Sequence, residues 1–321
     1  MRAEPAGGAR ALTVGVVGTG RMGSAMSTAL ARAGYWLLLY NRTPERAREL
    51  AASLGARALD TAAAVARESD LLITMLADGA AVEAVYRQRD GILDGLSART
   101  VALDMSTVPP RTVRALAAPV RERGAAILDA PVSGSTSTAE AGDLTIMVGG
   151  DAADLERARP VLEALSQRIF HMGPLGTAAA MKLAVNALIF GLNGALAEGL
   201  VIAERAGIDR ALAYDVLASS VAGGPFVQYK RDSFVDPERT PVAFALDLAE
   251  KDLRLITALA ADLGVRAEQA ETNLRIHEEA AANGRHDRDL SHVAVHLREA
   301  AANATVRSTA EADQQAPAGS R

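Results

Sequence analysis

The sequence predicts an α/β protein whose N-terminal half is a doubly wound sheet, followed by an all-helical domain linked to it by one long helix. Three observations carry this. Short, continuous apolar runs alternate with amphipathic stretches through the first half. The alternation stops at Gly173, Pro174, Leu175 and Gly176. Only helical patterns follow that break.

The first strand, residues 12–17, runs from Leu12 to Val17, and a helical pattern follows over 22–33. Trp36 to Tyr40 form the second strand. Pro44, after Thr43, sits where a first-turn proline is tolerated and opens a helix over 44–54. Strands over 71–76 and 101–104 come next, with a helix over 80–86 between them. Pro109 opens a helix over 109–123 by the same rule, and strands over 126–129 and 145–148 with a helix over 152–165 complete this half. Continuous apolar runs of this length suit strands of a parallel sheet covered on both faces. Beyond the break, a proline-free stretch over 177–206 would span about 45 Å as a helix. Helical stretches over 210–221, 242–263, 267–282 and 290–301 follow. The expected domains are 10–174 and 175–302, with disordered tails at 1–9 and 303–321.

Composition narrows the function. The chain has 321 residues, 49% of them hydrophobic and 23% charged, enough for a substantial core. With no cysteine, disulfide frameworks, thiolate metal sites, iron–sulfur clusters and cysteine nucleophiles are excluded. A net charge of −5 and 3% aromatic residues argue against a nucleic-acid surface. No apolar run of signal-peptide length lies between Met1 and Arg10, so a cytoplasmic protein is expected. The apolar stretch over 177–206 is interrupted by Lys182, Asn186, Asn193 and Glu198, which are expensive in hydrocarbon; it reads as a hub between domains or subunits, not a membrane span.

Gly18, Thr19, Gly20, Arg21, Met22 and Gly23 follow the first strand and open the first helix, which is G-x-G-x-x-G in the context a Rossmann-type dinucleotide site requires. Gly18 permits the turn, Gly20 lets backbone approach a pyrophosphate, and Gly23 allows close helix–strand packing. An acid at the end of the second strand would select NAD. Here Asn41, Arg42 and Thr43 stand instead, so NADP is expected, with Arg42 as a charged, bidentate phosphate partner. Met75, Leu76 and Thr107 end strands at the same edge and are candidate walls for the nicotinamide half.

A second constellation follows. Asp129 leads through Pro131 to Ser133, Gly134 and Ser135, a turn whose hydroxyl and backbone N–H groups suit a small carboxylate. Of 34 basic residues only Lys182, Lys230 and Lys251 are lysine. Lys182 lies in the first turns of the long helix, with Asn186 and Asn193 about 40° and 20° away on a wheel of about 100° per residue. A buried amine among polar neighbours can shift toward neutrality and exchange a proton; equally, it can be an ion-paired lysine with asparagines bridging helices. Phe244 and Lys251 are seven apart on the predicted 242–263 helix, and Lys251 either reaches the cofactor or pairs with Asp247 or Glu250. His292 and His296 are read as a solvated helix face, and no metal is expected.

In order and spacing, the glycine motif, Asp104 with Ser106 and Thr107, Asp129 through Gly134, Met181 with Lys182 and Asn186, and Lys251 with Asp252 and Leu253 resemble the β-hydroxyacid dehydrogenases. The resemblance runs from Leu12 to about Leu263 and more loosely to the last helix. Asn41 to Thr43 and Pro131 to Ser135 look most like the NADPH-dependent glyoxylate and succinic semialdehyde reductases. The 3-hydroxyisobutyrate branch usually has a second glycine where Ser135 stands. The resemblance implies that Lys182 is the catalytic acid, that Ser133, Gly134, Ser135 and Asn186 hold substrate, and that Thr107, Phe244 and Lys251 contact the nicotinamide half. It also implies a homodimer or homotetramer with the long helix at the interface. Thr136 to Thr138, and Gly284 to Asp289 where the family often has Gly-Asp-x-Asp, depart from the pattern. Expected chemistry is NADPH-dependent reduction of a small carboxylate-bearing aldehyde or 2-oxo acid. The alternatives are a 3-hydroxyisobutyrate or other 3-hydroxy acid dehydrogenase, an imine reductase-like enzyme, or a non-catalytic NADP-binding module.

Overall fold

Val14 and Val16 pack on one face of a sheet and Val17 on the other; Leu37 and Leu39 alternate with Leu38, and Leu71 and Ile73 with Leu72. Every second side chain meets a different buried layer, so the runs have no polar face to show. Fully burying each of these side chains is worth about 1.5–3 kcal/mol. The computed structural model describes residues 12–303. The tails expected at 1–9 and 303–321 lie outside the described residues, apart from residue 303.

In chain order the first half holds β1 (Thr13–Val17), α1 (Arg21–Arg32), β2 (Trp36–Tyr40), α2 (Pro44–Leu54), β3 (Arg57–Ala58), α3 (Ala62–Glu68) and β4 (Leu71–Thr74). Then come α4 (Gly79–Arg87), β5 (Val101–Asp104), α5 (Pro110–Glu122), β6 (Ala126–Asp129), β7 (Val132–Ser133) and α6 (Thr136–Glu140). β8 (Thr145–Gly149), α7 (Ala152–Glu163) and β9 (Arg168–Gly173) complete it. The strand order is β3-β2-β1-β4-β5-β6-β8-β7, with β9 on β8. The chain winds one way from β1 and the other from β4, so the switch point lies between their carboxyl ends, where open α/β sheets bind ligands.

The sheet is not wholly parallel as expected: β1 to β6 are, but β8 runs antiparallel to β6 and β7, and β9 follows β8. β9 escapes the sequence pattern because Arg168, Phe170 and His171 are exposed on this edge strand. α3 escapes it because its apolar face is mostly alanine; Thr61 caps it by accepting from Ala64 N–H. Pro109 is the cap of α5 and Pro110 its first residue.

α8 (Thr177–Arg205) is the long helix, followed by α9 (Arg210–Ser219), α10 (Pro225–Tyr229), α11 (Arg231–Val235), α12 (Leu246–Asp262) and α13 (Glu268–Ala280); residues 293–303 are helical. No strand follows β9 among the described residues. Contacts divide the chain into two units inside α8, one up to Ala184 and one from Val185. The core of the second unit gathers Leu196, Leu200, Tyr214, Phe234, Leu246, Ile276 and Val293. α10 and α11, five residues each, are too short to show a period.

By length and composition α8 could cross a membrane, but three of its four polar interruptions lie inside the protein and Glu198 is exposed. Lys182, Asn186 and Asn193 are buried, and Asn193 Nδ2 donates to the Leu290 carbonyl at 3.1 Å. The expected burial on several sides is incomplete. Phe190 and Leu196 are buried, whereas Met181, Leu188 and Ile202 are exposed, Leu188 at 66%. With exposed Ala195 they recur every seven residues along one stripe.

Candidate active site

The glycine motif sits at the switch point. Gly18 has φ +104°, and a Cβ there would lie 2.3 Å from the Met75 carbonyl oxygen. At Gly23 a Cβ would fall 2.0 Å from the Gly18 oxygen, whereas at Gly20 it would meet nothing. The loop is thus closed where it packs and open at Gly20. Gly20 caps α1 without a side chain, which leaves first-turn N–H groups to an anion. Thr19 Oγ1 is buried and unpartnered beside them. These features fit a dinucleotide pyrophosphate.

Arg42 and Thr43 are exposed on the same cleft, which Gly18, Gly20, Met75 and Leu76 also line. No carboxylate stands at the end of β2. Asn41 has a different part from the one expected: its Oδ1 accepts from Thr19 N–H at 3.2 Å and its Nδ2 donates to the Thr43 carbonyl at 3.0 Å. It staples the glycine loop to the end of β2. Sequence reasoning missed Arg46, a second guanidinium on the cleft, although its place one turn after Arg42 in the opening of α2 was legible.

Behind Met75 and Leu76 lies Asp104. Its Oδ1 accepts from Thr74 Oγ1 at 2.7 Å and Ser106 Oγ at 2.8 Å, and Ser106 Oγ in turn accepts from Leu76 N–H at 3.0 Å. The carboxyl therefore holds the cleft wall through Ser106, next to Thr107. Burial pushes it up to about 6 against these hydroxyl bonds, and the charge of Asp129 adds to the rise. The folded state holds this proton more tightly than the unfolded chain, so the contribution is complete below about pH 4 and lost as pH rises through 6. Asp104→Asn, which keeps one acceptor for both hydroxyls, is expected to gain stability relative to wild type between pH 4.5 and 8, by up to about 3 kcal/mol. Urea unfolding of both proteins across that range measures it; a gap that does not change with pH would place the proton elsewhere.

Asp129, at the end of β6, grips the start of α8. Its Oδ1 accepts from Gly176 N–H at 2.8 Å and its Oδ2 from Ala179 N–H at 2.7 Å. Burial raises its carboxyl while these N–H groups oppose the rise. A carboxylate at a helix N-terminus is favourable, and here it fixes the first turn of the helix whose second turn carries Lys182. Gly149 is needed beneath it, since a Cβ would lie 2.3 Å from Asp129 Oδ1.

Ser133 ends β7, half-buried, and exposed Gly134 follows with φ +147°. A Cβ on Gly134 would come within 2.5 Å of Thr138 Oγ1. The Ser135 hydroxyl, expected to hold substrate, instead caps α6, accepting from Thr138 N–H at 3.2 Å. The unexpected α6 explains it: Thr136, Ser137 and Thr138 form a helical turn where the sequence reads as loop.

In the second unit, Asn186 Nδ2 donates to Asp252 Oδ2 at 2.7 Å, and Lys251 Nζ lies 2.8 Å from Asp252 Oδ1. Asp252 is nearly fully buried and orients both. In the sequence an acid beside a lysine reads as a solvated face, and burial of Asp252 does not show there. Asp252 is thus a partner of Lys251 beyond the Asp247 and Glu250 expected for it, and Glu250 pairs with Arg254. Phe244 does not share a helix face with Lys251. It lies in a bend before α12, next to the isolated bridge of Ala245 with Asp289, and its ring centroid lies 6.1 Å from that of Phe190.

His292 is buried, not on a solvated face, because the last helix packs into the core of this unit. Among the described residues no group of three His, Asp or Glu could hold a metal ion.

Residues 13–173 match the family described as the NAD binding domain of 6-phosphogluconate dehydrogenase. Residues 176–297 match the one described as NAD-binding of NADP-dependent 3-hydroxyisobutyrate dehydrogenase. Glyoxylate/succinic semialdehyde reductase 1 of Arabidopsis thaliana is 32% identical over 282 residues, 88% of this chain and 97% of that one. The NAD-dependent L-serine dehydrogenase of Pseudomonas aeruginosa is 38% identical over 210 residues, 65% of this chain and 70% of that one. Among solved structures, Mycobacterium tuberculosis 3-hydroxyisobutyrate dehydrogenase with L-serine superimposes with a TM-score of 0.79 at 31% identity, over 90% of this chain and 99% of that one.

Proposed function

The chain belongs to the β-hydroxyacid dehydrogenases, NAD(P)-dependent oxidoreductases acting on CH–OH groups, and from that premise we propose that it is a cytoplasmic, NADPH-dependent reductase of a small aldehyde or 2-oxo acid carrying a carboxylate, of the glyoxylate or succinic semialdehyde type. The observation that carries the reading is the pair Arg42 and Arg46 on a cleft with no carboxylate at the end of β2. Two guanidiniums favour a 2′-phosphate, and an acid there would repel it.

The dinucleotide, when bound, supplies the hydride. The chain's own residues do the rest. Lys182, held by a helix whose start is gripped by Asp129, donates a proton to the carbonyl oxygen as it becomes an alkoxide; in the reverse direction the neutral amine takes the hydroxyl proton. Asn186, oriented by Asp252, and Ser133 with the Gly134 backbone bind and orient the substrate. Thr107, Phe244 and Lys251 are assigned to contact with the nicotinamide half.

The L-serine bound to the M. tuberculosis relative and the activity named for the P. aeruginosa one favour a second reading, oxidation of a 3-hydroxy acid. A panel read by nicotinamide absorbance separates them. Glyoxylate and succinic semialdehyde with NADPH are expected to turn over with far higher kcat/KM than L-serine or 3-hydroxyisobutyrate with NADP or NAD; the opposite order would establish the second reading.

The exposed stripe of Met181, Leu188, Ala195 and Ile202 supports a homodimer or homotetramer, with α8 covered by a second copy. Light scattering at micromolar concentration is expected to give at least twice the chain mass, and a monomer would remove this assignment.

A further inference from the structure

Lys230 is one of three lysines in a chain otherwise supplied with arginine, and the site described above uses the other two. It is fully buried at the junction of α10 and α11, and its Nζ lies 2.7 and 2.8 Å from the two carboxylate oxygens of Asp289. Asp289 does more than neutralise it. Its Oδ2 accepts from the backbone N–H of Ala243 at 2.9 Å and of Phe244 at 3.1 Å, and its Oδ1 from Ser291 N–H at 3.1 Å. The Phe244 carbonyl accepts from Leu290 N–H at 2.9 Å, closing the bridge between the segment before α12 and residues 286–290.

Backbone pairing or a neutral acceptor would suffice to tie two loops together, whereas burying an ion pair carries a desolvation cost. What the pair adds is directional: one carboxylate, fixed by an ammonium across both oxygens, aims at two successive N–H groups. An ammonium is compact enough for this closed space, and the planar, branched guanidinium is not. The ring that these bonds place, Phe244, packs against Phe190, one turn beyond Asn186 on α8.

We propose that Lys230 and Asp289 are a positioning pair that fixes Phe244, and through it the wall where the nicotinamide half meets the substrate, next to Asn186. The proposal rests on Phe244 belonging to the site, as read above.

A double-mutant cycle tests both and keeps them apart. Lys230→Met with Asp289→Asn removes both charges, so no lone charge is buried. The full-length enzyme is assayed at saturating NADPH with its best substrate from the panel, and folding is checked by thermal melting. The pair variant is expected to raise substrate KM about tenfold or more with a smaller change in kcat. In a Phe244→Ala background the same substitutions are expected to add less than about twofold, because the positioned ring is gone. Multiplying effects, or an unchanged KM in a folded pair variant, would overturn the positioning role alone. A silent Phe244→Ala would instead overturn the placement of Phe244 in the site, and the proposal with it. If the pair variant does not fold, Asp289→Glu, which keeps the charge but moves the carboxylate by a methylene, is expected to give the same rise in KM and the same loss of effect without Phe244.

Discussion

Lys182→Ala is expected to lower kcat by about 10²–10⁴, the usual worth of a positioned general acid, while NADPH affinity stays nearly unchanged. The separation follows from placement. The phosphate-binding features lie at the glycine loop and the end of β2, whereas Lys182 lies on α8, on the helical face it shares with Asn186. Lys182→Arg is not expected to rescue turnover, because a guanidinium does not give up its proton near neutral pH and is too large for a site where the lysine is only 9% exposed. Steady-state kinetics with the best panel substrate, beside NADPH binding followed by fluorescence, measures both halves. Near wild-type turnover in Lys182→Arg would make the residue an electrostatic anchor and leave the proton to water.

The second large effect concerns cofactor choice. Arg42→Ala is expected to weaken NADPH by about 10–150-fold and NADH hardly at all, the worth of a charge-assisted hydrogen bond to a 2′-phosphate. Arg46→Ala is expected to act in the same direction with a smaller loss, and both losses to shrink in high salt because the two guanidiniums are exposed. Equal loss for both cofactors would show that Arg42 serves the fold. Binding titrations with each dinucleotide at two ionic strengths decide this.

Much of the architecture was legible because its signals are local. Strands buried on both faces must be apolar throughout, and β2, β5 and β6 lie where their apolar runs do. The glycine motif could be read residue by residue: Gly18 and Gly23 answer to close backbone approaches, and Gly20 leaves the loop open. What could not be read depends on partners distant in sequence. Ser135 looks like a substrate hydroxyl until α6 forms behind it. Asn41 looks like a phosphate ligand until Thr19 folds back onto it, 22 residues away. Asp252 resembles a surface acid until Asn186, 66 residues earlier, donates to it inside the protein. Phe244 continues the apolar period of α12 in the sequence, but Asp289 accepts from its N–H and holds it in the segment before that helix. Asp104 shows the limit differently: its Thr74 and Ser106 bonds follow from strand register, which periodicity does not specify.

The seven-residue recurrence of Met181, Leu188, Ala195 and Ile202 on α8 has a geometric consequence. A straight α-helix falls about 20° short of whole turns in every seven residues, so this stripe winds slowly around the helix in a left-handed sense. A neighbouring helix that stays in contact along it cannot lie parallel or cross steeply. It must follow the winding, inclined by about 20°, as helices do in left-handed supercoils. In the proposed assembly Ala195 would give the closest approach along the stripe and Leu188 and Ile202 the knobs on either side, so a bulky side chain at Ala195 is expected to weaken association without disturbing the fold of the chain.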